Sequence, residues 1–311
     1  MCDIWKDNKN LQQLTEEDVS GLLASLWELG TKQVVMSGGE ALLNQNFFRL
    51  CEILNKAGIK VTLLTTGLTI KHHAEQLVKW VHDIIVSMDG DQQLHDAIRN
   101  VPGAFQKLKD GVERIHAINP KYRITARTVI HRLNFWNWPS IIHEAKRMRL
   151  QQISFLPADV TSHAFNRQMA WEEPRQHEIL LSQRELPELQ SIITRLVNEH
   201  KEDFDSHFIA ESPEKIQHIY DYYAAFYELN PFPEKKCNAP WVSAVIEADG
   251  NVRPCFFHNT MGNIRESNLT DILNSDSAID FRKTLNMDTN STCVKCVCSL
   301  NLPPRMNPVT N

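Results

Sequence analysis

The chain has 311 residues, 42% of them hydrophobic and 23% charged, and a net charge of -5. That balance suits a globular protein of one large or two ordinary domains with a buried core. It excludes a broad positive field, so nucleic acid and anionic membrane are not expected partners. No apolar run approaches the ~18 residues of a membrane span, and no charged-then-apolar leader opens the chain, which points to the cytoplasm.

In chain order, "LTEEDVSGLLASLWELG" spaces its apolar residues as a helix does, with Thr15 as N-cap and Gly30 as stop. "KQVVM" reads as a short buried strand running into "SGGE". "NQNFFRLCEILNKAG" is a second helix, "KVTLLTTG" a strand, "KHHAEQLVKWV" a helix and "DIIVSMDG" a strand. "GAFQKLKDGVERIHAIN", "YRITARTVI", "PSIIHEAKRMRL" and "QQISFLPADV" continue the alternation.

These strands are apolar on both faces, as in a parallel sheet covered by helices. Chemistry in such folds gathers at the C-terminal strand ends. Here those ends carry "SGGE", "TTG", "SMDG" and, with Asp159, "LPADV". Asp159 is a candidate substrate contact, set against a plain turn or N-cap role. "KQVVM" finds no strand before it to pair with, so it is either an edge or the neighbour of a strand missing from the chain.

From about residue 161 to 236 the alternation gives way to longer helices, "LPELQSIITRLVNEHKEDF" and "PEKIQHIYDYYAAFYEL", and an extended stretch at "NPFPEKK". "WVSAVIEADGNVRPCFF" is then a hairpin about Asp249-Gly250, and "TDILNSDSAIDFRKTL" a helix. Five of the seven cysteines lie in the last 75 residues, at 237, 255, 293, 296 and 298. In a reducing compartment such a cluster points to metal. Four thiolates from two such places suit zinc or a cubane iron–sulfur cluster, and spacing does not choose between them. Cys51, inside a helix, reads as a small buried apolar side chain.

Together these segments resemble the radical SAM enzymes that carry a C-terminal SPASM or twitch-type auxiliary-cluster domain. The resemblance rests on "SGGEALL", on "VSMDGDQQLHDAIRNVPGAF", and on "CNAPWVSAVIEADGNVRPC", "MGNI" and "CVKC" in that order. It implies an α/β fold: a partial (βα)6 parallel barrel lacking its first strand, then a small α+β cysteine-rich domain. The expected divisions are 1–205 for the barrel, 206–236 for a helical bridge and 237–311 for the auxiliary domain.

The resemblance also implies cofactors, S-adenosylmethionine and [4Fe–4S] clusters, and a reaction. A 5′-deoxyadenosyl radical abstracts a substrate hydrogen, with electrons from a reductant such as flavodoxin or ferredoxin. Gly38, Gly39 and Glu40 would meet the methionine amine, Ser87 and Arg99 the ribose or carboxylate, and backbone near Leu156 the adenine. Asp89 would shape its turn. Cys237, Cys255, Cys293 and Cys296 would hold the auxiliary cluster, with Cys298 a spare or a swap partner for Cys296. Cys2 fits the third position of the family's C-x3-C-x2-C loop. The first two cysteines would then precede Met1, so a shortened N-terminus is expected. The substrate would be a small molecule or a peptide, with a tilt to the former. A truncated, non-catalytic iron–sulfur protein acting in electron transfer or partner binding, and an α/β protein with a structural zinc site, are the alternatives.

Overall fold

In a computed structural model, which describes residues 12–162, 164 and 171–303, each apolar run of the N-terminal half forms a strand of one sheet. Its strands are β1 (Gln33–Met36), β2 (Lys60–Thr65), β3 (Asp83–Ser87), β4 (Arg123–Ile130) and β5 (Gln152–Pro157). They are parallel and lie side by side in sequence order. Crossovers of one hand keep the connecting helices on one face of such a sheet, and the result is a partial parallel barrel. Among the described residues β1 has a partner on one side only, and its Val35 is half exposed.

The helices are α1 (Glu16–Glu28), α2 (Phe47–Lys56), α3 (Ile70–Trp80), α4 (Gln92–Arg99), α5 (Ala104–Ile118) and α6 (Trp138–Arg147). Thr15 and Asp18 close a capping box at the start of α1, each side chain accepting from the other's backbone N–H at 3.2 and 2.9 Å. Gly30, at φ +59°, ends it. Alternate residues of the sheet, Leu63, Ile84, Val86, Ile124 and Ile153, are fully buried in register beneath the helices. Each such side chain contributes roughly 1.5–3 kcal/mol relative to exposure. α3 and α5 pack so closely that a Cβ on Gly111 would stand 2.9 Å from Ile70 Cβ. Cys51 is fully buried, as the sequence suggests.

The far edge of the sheet is covered. Residues 208–211 run along β5, with Ile153 N donating to Phe208 O (2.7 Å) and Ala210 N to Ile153 O (2.9 Å). The Glu211 side chain accepts from Phe155 N at 2.9 Å, completing the ladder where the backbone turns away. Helices α7 (Glu173–Ile179), α8 (Leu186–Glu199), α9 (Lys201–Asp205) and α10 (Pro213–Ala225) follow β5. Tyr223 of α10 accepts from Ala158 N (2.9 Å) and donates to Ile130 O (2.5 Å), which pins that helix to the ends of β4 and β5.

The C-terminal part holds α11 (Ala239–Val242), an antiparallel sheet of β6 (Val245–Ile246), β7 (Asn251–Arg253) and β8 (Gly262–Asn263), then α12 (Leu269–Leu273), α13 (Asp276–Thr284) and α14 (Ser291–Val294). Gly250, at φ +88°, makes the hairpin turn. This part sits against α1: Arg265 reaches Asp18 at 2.9 and 3.0 Å, and Thr270 reaches Glu28 at 3.1 Å.

Four details depart from the sequence reading. The "LPELQ…KEDF" helix breaks at His200, whose ψ of 30° leaves the helical range. "TDILNSDSAIDFRKTL" is two helices because the Ser275 side chain caps a new start by accepting from Ala278 N. The hairpin's first run opens as a helical turn, with Pro240 fixing its start. α4 has too few apolar residues to show a helical period, but Asp91 caps it by accepting from Leu94 N at 3.1 Å.

Candidate functional site

The strand ends collect the polar residues of the "SGGE", "TTG" and "SMDG" segments. After β1 the backbone turns at Gly38, with φ +146°, a conformation that side chains rarely adopt. A Cβ there would meet nothing within 4 Å, so the backbone is open to a ligand. Glu40 follows and folds its carboxylate onto the end of β2. It accepts from Thr65 Oγ1 at 2.8 Å and from Thr66 N at 2.9 Å, and it caps the short turn Ala41–Leu43 through Leu42 N at 3.3 Å. Thr65 and Thr66 thus hold the Glu40 carboxylate in place. The sequence flagged "TTG" as a polar strand end without giving its threonines this part.

At the end of β3, Asp89 is buried and Arg99 Nε stands 2.6 Å from its Oδ2. Arg99 is paired through Nε with Asp89, and its side chain remains part-exposed. Asp89 does shape its turn: its N–H donates to His95 Nδ1 (3.2 Å) and its carbonyl accepts from Asn134 Nδ2 (3.0 Å). Burial holds His95 down at about 4, so this imidazole is neutral.

Register sets Ser87 of β3, Arg127 of β4 and Ser154 of β5 in one row across the sheet face turned away from the helices. Arg127 is exposed there. It was missed in the sequence, although "YRITARTVI" shows it as an arginine in mid-strand. Leu156 lies on the same face, opposite Val129. Asp159 is buried beyond β5, and its carboxylate accepts from Ser162 N (3.3 Å) and Ser162 Oγ (2.5 Å). That turn role is the one set against the substrate contact in the sequence reading.

The second cluster of chemistry is the cysteines. Cys237, Cys255, Cys293, Cys296 and Cys298 all line one cavity of about 280 Å³, together with Lys235, Phe257 and His258. α14 brings Cys293 in, with Asn290 capping it by accepting from Cys293 N at 3.1 Å. The hairpin brings Cys255, and the extended stretch after α10 brings Cys237. His258 Nε2 lies 3.4 Å from Cys293 Sγ.

Burial first, then neighbouring thiols, push Cys296 up to about 12 and Cys293 up to about 11. Cys298 is raised by burial, and the charges of Arg127 and Asp159 also act on it. Cys2 lies outside the described residues.

Thiols crowded this way are unfavourable as thiolates unless a metal takes their charge, and a coordinating metal deprotonates them outright. Among the described residues no three Cys, His, Asp or Glu side chains converge closely enough to share one ion. Thiolates gathered on one cavity suit an iron–sulfur cluster or a tetrahedral zinc.

A partial parallel barrel joined to a cysteine-lined cavity defines an α/β protein with a thiolate-rich metal module. Comparison with known families agrees. Residues 1–145 match the radical SAM superfamily, and residues 237–297 match SPASM, an iron–sulfur cluster-binding domain. The two matches together cover more than half of the chain, which belongs to the radical SAM superfamily and carries a SPASM domain. The PqqA peptide cyclase of Rhizobium meliloti is 27% identical over 86% of this chain and 68% of its own length. An AdoMet-dependent heme synthase of Methanosarcina barkeri is 26% identical over 36% of this chain, and the match spans only 33% of that protein. The crystal structure of anSMEcpe with bound AdoMet superposes with a TM-score of 0.61 at 18% identity, covering 86% of this chain and 74% of that one, and so shares the fold. Among the described residues no helix is long and apolar enough to cross a membrane.

Proposed function

We propose that this chain is a radical SAM enzyme that abstracts hydrogen from a peptide or small-molecule substrate, with an auxiliary [4Fe–4S] cluster held by Cys237, Cys255, Cys293 and Cys296. The observation that carries the reading is the gathering of five C-terminal sulfurs around one cavity. With a complete C-x3-C-x2-C loop, in which Cys2 would be the third ligand, S-adenosylmethionine and the cluster of that loop would supply a 5′-deoxyadenosyl radical. A reductant such as flavodoxin or ferredoxin provides the electron in the cytoplasm. Residues 1–205 form the SAM-binding part, 206–236 the bridge and 237–311 the auxiliary domain.

The chain's own residues orient and enclose. The open backbone at Gly38, with Gly39 next to it, accommodates the methionine amine, and Glu40 faces it, steadied by Thr65 and Thr66. Ser87 contacts the ribose or carboxylate. Arg99 acts through Asp89, holding the turn that presents Ser87. Backbone at Leu156 meets the adenine. Asp159 orders its loop through Ser162, and any contact it makes with substrate passes through that loop.

Two supports come from relatives. The PqqA cyclase is named for a peptide substrate and the heme synthase for a tetrapyrrole product, which is why the substrate class spans both. The test is metal content and SAM cleavage. After anaerobic reconstitution, iron and sulfide should be present and zinc absent. Cys237→Ala with Cys255→Ala should remove about four irons, one cubane's worth. Dithionite-dependent release of 5′-deoxyadenosine supports catalysis. One zinc and no iron per chain overturns the reading.

A further inference from the structure

Lys235 stands out among the charged residues of the cavity by its burial. Glu234 and Asp288 also line it but are exposed, as is Lys236, whereas Lys235 is half-buried in the cysteine-lined space. The chain before it, Pro231-Phe232-Pro233, is stiff. Its Nζ donates to the carbonyl of Val294 at 3.2 Å, the residue after Cys293. One side chain thus links the segment carrying Cys237 to the segment carrying Cys293 and Cys296. The Tyr222 ring lies 6.0 Å from the ammonium. Among the described residues Lys235 makes no ion pair with a carboxylate; burial lowers its pKa, and the thiols of Cys296, then Cys298, Cys293 and Cys237 act in the opposite direction.

We propose that Lys235 is a fixed positive charge that raises the reduction potential of the auxiliary cluster, an inference that rests on the iron–sulfur reading above. A cluster gains one negative charge on reduction. A cation held beside it, out of bulk water, stabilises the reduced state more than the oxidised one. The Val294 hydrogen bond keeps the ammonium at the cysteines instead of in solvent. Lys235 is a positioning residue in this sense: it tunes an electron acceptor and touches no reacting atom.

The test is an EPR-monitored redox titration of the full 311-residue chain after anaerobic reconstitution, following the signal that added S-adenosylmethionine does not perturb. Lys235→Met and Lys235→Gln should both move the midpoint to a more negative potential. Lys235→Arg, which keeps the charge, should stay near wild type, and so should the exposed Lys236→Met. Loss of iron in Lys235→Met and Lys235→Gln but not in Lys235→Arg would equally support a required charge. A wild-type midpoint in Lys235→Gln together with a shifted one in Lys235→Met would assign the effect to the hydrogen bond and overturn the proposal. Unchanged midpoints in all variants, or iron lost from Lys235→Arg as well, would also overturn it. Wild-type chain that holds no iron at the C-terminal cysteines would overturn the iron–sulfur reading itself, and that failure is visible before any variant is made.

Discussion

The two halves of the molecule hold their order by different means. The parallel sheet carries rows of fully buried aliphatic side chains, and Trp138, Tyr222 and Tyr223 are fully buried around it. The C-terminal part has few: Val252, Leu269, Ile272 and Ala278, with Pro240 and Pro254, are its buried apolar side chains, and no described residue after Ala278 is buried. Its strands are two or three residues long. A unit that small rarely holds itself together by its core and uses metal or cross-links instead. The first half is a scaffold that presents a site. In the second half the site should itself be part of what folds the chain, because metal binding free energy becomes folding free energy.

The largest effect should come from removing that support. Cys237→Ala with Cys255→Ala is expected to leave the barrel folded and to open the chain after about residue 231 to limited proteolysis. Circular dichroism and mass-mapped cleavage sites would show the split. Equal sensitivity of wild-type and variant chains to protease would mean that the C-terminal part folds without its metal. Leu63→Ala is the opposite test. Leu63 is fully buried, so its loss should cost about 2–5 kcal/mol in urea unfolding of the barrel. Iron bound at the C-terminal cysteines in the folded protein should stay unchanged. If iron falls in step with barrel stability, the two halves fold as one unit.

The same contrast explains what could be read from the sequence. All five strands of the parallel sheet and most of its helices are legible because burial imposes period and length on apolar residues, as in "KVTLLTTG" and "DIIVSMDG". The cysteine set is legible as residues that belong together, since few other roles concentrate thiols so densely. What stays hidden depends on side-chain direction. Nothing in "SMDG…R" says that Arg99 turns back to Asp89, and nothing in "LPADV" says that Ser162 engages the Asp159 carboxylate. Lys235 looks like one of three charges in "PFPEKKC", and only its burial sets it apart. The helix break at His200 and the cap at Ser275 are local backbone events beneath the resolution of an apolar pattern.

A smaller effect lies at the edge of the sheet. Burial raises the Glu211 carboxyl from 4.5 to about 7. With the folded pKa above the unfolded one, the native state keeps a proton that the unfolded chain has lost. Stability from this group is therefore full below about pH 4.5 and declines as pH rises through 7. Glu211→Gln keeps an acceptor for Phe155 N but cannot ionise. It should be the more stable protein at pH 8, by up to about 3 kcal/mol, and nearly equal to wild type at pH 4.5. Urea denaturation at both pH values decides this, and a gain of the same size at both would show that charge is not the cause.

The smallest effect should come from the seam between the halves. Arg265 grips Asp18 with two nitrogens, and the Arg265 hydrogen bonds hold Asp18 below the usual carboxylate range. The arginine also reaches the Gln13 and Asp249 carbonyls at 3.2 Å. Exposed pairs of this kind add only about 0–1 kcal/mol to global stability, so Arg265→Ala should barely move the barrel's unfolding midpoint. Its effect should appear in coupling instead. Arg265 is the side chain that reaches from the β8 turn to the start of α1, and without it the cysteine domain should exchange backbone hydrogens faster along 249–270 while α3 and α5 stay protected. Hydrogen exchange reads both regions in one experiment. A large fall in barrel stability would mean that α1 depends on the C-terminal part to stay docked, and the division of labour between the halves would have to be redrawn at α1 rather than at Cys237.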